Sequence, residues 1–151
     1  MRRAMTALLV GGVLGGVAAC GTAMGTGPNG TPAVTGPVVE PATKSTCEAV
    51  GTAYTKNIGP FAEALTKMVS DRTAVKAAQQ KLDAFGASIR AATQDSADSQ
   101  FRTDGKQTAD KLHAKSADAA FFATVKTAED VNTVLGPTLK EWLAPVTHHC
   151  S

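Results

Sequence analysis

The chain has 151 residues, enough for one compact domain with extensions. It carries 15 basic against 13 acidic residues, and setting aside Arg2 and Arg3 leaves 13 against 13. That balance excludes a broad electrostatic attraction for nucleic acid or for an anionic lipid surface. Aromatic content is low at 5% and alanine is abundant, a composition suited to closely packed helices.

Residues 1–19 have the order of a secretory signal peptide. Arg2 and Arg3 form a short positive start, Ala7 to Val17 is an uncharged apolar run, and Ala18 and Ala19 are small residues before Cys20. The apolar run is short and holds Gly11, Gly12, Gly15 and Gly16, which argues against a membrane span. The residues after the twin arginines do not follow the twin-arginine pattern, so the general secretory route is expected. Val17-Ala18-Ala19-Cys20 resembles the lipobox of bacterial lipoproteins, with Val17 where leucine is usual. The resemblance covers these first residues alone. It implies a diacylglycerol on the Cys20 sulfur, cleavage before Cys20, and a protein held on the extracytoplasmic face of the cell membrane. Two acyl chains are what stable anchoring needs. The alanine and threonine richness of the remainder is similar in composition to small exported lipoproteins of high-GC Gram-positive bacteria.

Residues 20–44 read as a linker. Pro28, Pro32, Pro37 and Pro41 recur every four or five residues among Gly, Thr and Val. Such spacing forbids a helix, breaks strand ladders, and leaves a disordered, partly polyproline-like tether. Its coil reach is roughly 25–30 Å, enough to hold a domain clear of the membrane. Thr31, Thr35 and Thr43 lie beside or near prolines and could accept sugars.

From Ser45 to the end, apolar residues recur at helical spacing, and the expected fold is all-α. Ser45 and Glu48 fit a capping box at the start of the first helix, whose stripe is Cys47, Val50, Tyr54, Ile58, Phe61, Leu65 and Met68. The second helix, with Asp71 or Thr73 as cap, repeats Val75, Ala78, Leu82, Phe85, Ile89 and Ala92. The third starts after Asp95-Ser96, with the thinner stripe Phe101, Thr108, Leu112, Ala119 and Phe122. Gly105 costs this helix about 1 kcal/mol relative to alanine, so it is expected to be loose or to split near Ser116. The fourth begins at a Thr127–Asp130 capping pattern and carries Val131, Leu135, Leu139, Trp142 and Val146. No segment alternates with period two for long. Four such helices with short connections predict an antiparallel up-down four-helix bundle over residues 45–151.

With Cys20 assigned to lipid, Cys47 and Cys150 remain, one at each end of the domain. An up-down bundle returns its last helix to the end where the first began, and an exported domain meets an oxidising compartment. A Cys47–Cys150 disulfide follows. His148-His149-Cys150 is a possible soft-metal cluster. Adjacent residues on a helix end point apart, however, and His113 is distant in sequence, so no metal or other cofactor is expected.

Ile58-Gly59-Pro60 and Leu135-Gly136-Pro137 fall midway along the first and fourth helices and predict a kink in each. If the bends faced each other they could open an apolar pocket near Tyr54, Phe61, Leu139 and Trp142; if not, both helices bend around a filled core. Asp95, Asp98, Asp104 and Asp110 do not match a calcium loop and read as a solvated polar face. The sequence holds no Glu-x-x-His, His-Glu-x-x-His or Gly-x-Ser-x-Gly motif and no glycine-rich phosphate loop. It therefore nominates no catalytic residue. The expected function is a non-enzymatic binding module, anchored through Cys20, for an unidentified envelope protein. The alternative is a carrier of a small apolar ligand in a cavity near the Gly-Pro bends. A small enzyme with dispersed catalytic residues is the third reading.

Overall fold

The computed structural model describes residues 41–151, with side chains from residue 43 onward. The expected signal peptide, Cys20 and most of the expected linker lie outside the described residues. The described part is all-helical, without a strand.

The first helix, α1, spans Pro41–Ser70. It begins inside the stretch read as linker, so that residues 41–44 are helical, and Ser45 is inside a helix rather than capping one. Proline is compatible with a helix's first turn, where the N–H groups have no intrahelical acceptor. Pro41 thus need not stop the helix, and nothing between Thr43 and Thr46 breaks it. Nor is the α-helical run interrupted at Pro60. Gly59 and Pro60 are exposed, so water can serve the carbonyl that the proline leaves unpaired. The Asn57 amide also donates to the Ala53 carbonyl at 2.7 Å in the preceding turn.

Asp71 accepts from the Thr73 N–H at 3.0 Å and starts a short 3-10 turn, Arg72–Ala74, that leads into α2, Val75–Thr93. The next helix, α3, spans Ser99–Ser116 and is capped by Asp98, which accepts from the N–H groups of Gln100 and Phe101. The expected break near Ser116 is present. A short helix α4, Ala119–Thr124, follows with Asp118 as its cap. The Arg72 guanidinium donates to the Val125 carbonyl at 2.7 Å and so ties the end of α4 back to the start of α2.

The Thr127–Asp130 capping box forms in full and opens α5, Ala128–Thr133. The chain then widens into a π-helical turn, Val134–Thr138, and returns to α-helix in α6, Leu139–Thr147. Pro137 has no N–H to give, and the Leu139 N–H reaches back five residues to the Val134 carbonyl. A 3-10 turn, His148–Cys150, completes the described chain.

One core joins these elements. Phe61, Leu65 and Met68 from α1 are buried with Leu82, Phe85 and Ile89 from α2, Phe101 and Leu112 from α3, Phe122 from α4, and Leu139, Trp142 and Val146 from α6. α2 packs along both α1 and α3, α6 packs on α3, and α5 packs on α1. Gly105 is not a loose point. A Cβ there would lie 1.9 Å from Thr93 Oγ1, so the missing side chain is what lets α3 approach α2. Gly86 serves the same seam, where a Cβ would lie 3.0 Å from the Ala109 carbonyl.

Cys47 in α1 and Cys150 in the last turn are joined by a disulfide, with Cα atoms 5.6 Å apart across a sequence separation of 103.

Candidate apolar groove and the carboxylate–histidine corner

Helical spacing decides which residues of α1 face α6, and glycine decides how closely the facing surface is filled. Gly51 and Gly136 each have nothing within 4 Å of where a Cβ would stand. The space they leave is a groove of about 630 Å³ between α1, the π-helical turn and α6. Val50, Ile89 and Leu143, all buried, belong to its apolar lining. Tyr54 stands on its edge at 39% exposure, the large hydrophobic side chain most exposed to solvent among the described residues. The Tyr54 ring meets Phe85 edge to face at a centroid distance of 6.0 Å. Lys140 supplies the charged group of the lining, and the Cys47–Cys150 disulfide closes one end.

Of the four residues expected around a pocket, only Tyr54 lines this one. Phe61, Leu139 and Trp142 are buried in the core, where Trp142 packs on Phe121 at a ring distance of 5.2 Å. The reason is rotational. Phe61, Leu139 and Trp142 occupy the centre of their apolar stripes, and the centre of a stripe meets the other helices. Gly59 and Pro60 do not line the groove; only the Gly136 bend does. Gly51, Leu135 and Leu143 were missed as lining residues. A glycine one step off the apolar stripe of a helix is the signal that could have found the first of them.

Beyond the disulfide, the last turn meets α3. His149, stacked on Phe101 at 4.5 Å, donates through Nε2 to Asp104 Oδ2 at 2.9 Å. Its Nδ1 lies 3.6 Å from Asp98 Oδ2. The Gln100 amide donates to the other oxygen of Asp104 at 3.1 Å. The bond from His149, followed by that from Gln100, holds the Asp104 carboxyl below the usual carboxylate range against the opposing effect of burial. Asp104 is therefore a buried anion and not part of a solvated polar face as its sequence context suggested. Asp110 does lie in solvent, paired with Arg90 and Lys106. His113 pairs with Asp83.

Set against family models, curated proteins and solved structures, the chain matches none of them.

Proposed function

We propose that this protein is a non-enzymatic carrier or sensor of a small amphiphile, held at the outer face of the cell membrane by lipid on Cys20. The groove between α1 and α6 is the observation that carries the reading. Its volume of about 630 Å³ falls in the range of small-ligand sites, and its lining is largely apolar with one cation, Lys140. A protein-docking face would need a broad exposed apolar patch. Tyr54, on the groove's own edge, is the exposed large hydrophobic side chain found among the described residues. The small-ligand reading is thereby favoured over the envelope-protein reading. Lys140 suits a ligand with an anionic head and an apolar tail. For the whole architecture we read α1, α2, α3 with α4, and α5 with α6 as the four rods of an up-down bundle. The neighbour relations of the helices and the joining of first and last turns by the disulfide support that arrangement.

The test is binding of a fluorescent long-chain fatty acid to the full-length protein. Gly51→Phe fills the groove without meeting neighbouring atoms at its Cβ, and is expected to abolish uptake while leaving the thermal midpoint unchanged or raised. Lys140→Gln should weaken binding of the acid but not of the matching alcohol. Uptake by Gly51→Phe equal to that of the parent would end the proposal. The anchor is checked separately by intact mass of detergent-extracted protein: the expected species begins at Cys20 and carries diacylglycerol.

A further inference from the structure

The geometry points to a site for a divalent transition-metal ion of the zinc or copper(II) class, built from Asp104, His148 and His149 at the corner where the last turn meets α3. The inference is independent of the groove. These three residues each offer a ligand atom, and the three atoms lie within 4.8 Å of one another. Ligands at about 2.0–2.1 Å from a tetrahedral ion stand on the order of 3.3 Å apart, so a small side-chain adjustment closes the set. Two imidazoles and a carboxylate suit zinc or copper(II) rather than calcium or magnesium, which prefer all-oxygen shells.

The surroundings resemble those of a built site rather than a chance meeting of side chains. Asp104 is buried, and Gln100 fixes its other oxygen at 3.1 Å. The His149 ring is clamped by stacking on Phe101 at 4.5 Å. Without an ion, Nε2 holds its proton toward Asp104 at 2.9 Å; ligation releases that proton to solvent and leaves the N–H on Nδ1, which faces Asp98 at 3.6 Å, the side from which a carboxylate orients a metal-bound imidazole. His148 is exposed, and its Nδ1 contacts the Ala144 carbonyl at 3.3 Å, so Nε2 is the nitrogen available to an ion. Its ring lies 4.0 Å from that of His149 at 35°. Adjacent histidines were expected to diverge; in the 3-10 turn they lie side by side. With three protein ligands, the fourth position of the ion is left for water or an external group.

The experiment titrates zinc chloride into the untagged full-length protein while the histidine ring signals are followed by proton–nitrogen NMR. Saturation at one equivalent, with the rings of His148 and His149 shifting and His113 still, is the expected result. His148→Ala, which removes an exposed side chain, should weaken zinc binding by about tenfold or more, and Asp98→Asn by a similar factor through the orientation of His149. Rings that do not shift would overturn the inference. So would equal shifts at His113 and His148, the mark of adventitious surface binding, or His148→Ala binding zinc as the parent does.

Discussion

Asp130 Oδ2 accepts from the backbone N–H groups of Lys126 and Thr127 and from the Thr127 hydroxyl, each at 2.9 Å. These bonds, the Lys126 N–H first, hold its carboxyl below the ordinary value of 3.8. Asp118 is held down in the same direction, by Lys115 first and then by the Phe121 N–H. A carboxyl whose pKa is lower in the folded than in the unfolded chain stabilises the fold above the unfolded value, and that contribution is lost as pH falls through the folded value. Thermal midpoints should therefore be flat from neutrality down to about pH 5 and fall below pH 4. Asp130→Asn, which keeps the shape but not the charge, should lower the midpoint at pH 7 and shallow the acid limb. A pH series of thermal melts on both proteins reads this directly. The capping box was legible in sequence because its two partners are three residues apart. The Asp104–His149 bond, with partners 45 residues apart, was not.

Among helices, two glycines behave in opposite ways. At Gly105 a Cβ would fall 1.9 Å from Thr93 Oγ1 and 2.4 Å from Thr93 Cβ. Gly105→Ala should cost about 1–3 kcal/mol through overpacking of α2 on α3, more than the roughly 1 kcal/mol of helix propensity it returns. Removing the hydroxyl with Thr93→Ala should not rescue it, since the Cβ clash remains. Gly51→Ala meets nothing and should stabilise by about 0.5–1 kcal/mol. Urea denaturation of the four proteins checks the signs. Periodicity made the α2 stripe readable, and Ala78, Leu82, Phe85 and Ile89 are indeed buried. It reports which face of a helix turns inward but not what stands opposite. That is why Gly105 read as a weakness, Ser45 as a cap, and Phe61 as a pocket wall. The π-helical turn was foreshadowed by Gly136-Pro137, whereas the same dipeptide at Gly59-Pro60 sits in unbroken α-helix. Dipeptide identity alone does not decide between the two outcomes.

For the molecule as a whole, the Cys47–Cys150 pairing was readable because two expectations of different kind agreed: an oxidising compartment and a last helix that returns to the first. Cys47→Ser with Cys150→Ser should lower unfolding free energy by up to about 4–5 kcal/mol, measured by denaturant titration, given a closed loop with a separation of 103. The same bond has a mechanical consequence. A pull applied between residue 41 and residue 151 passes through the two sulfur atoms and bypasses the chain between them. Only the short leaders outside the covalent ring would lengthen. The core, the groove and the histidine corner would ride unstretched for as long as the sulfur–sulfur bond held, and a protease cut inside the ring would leave both fragments attached.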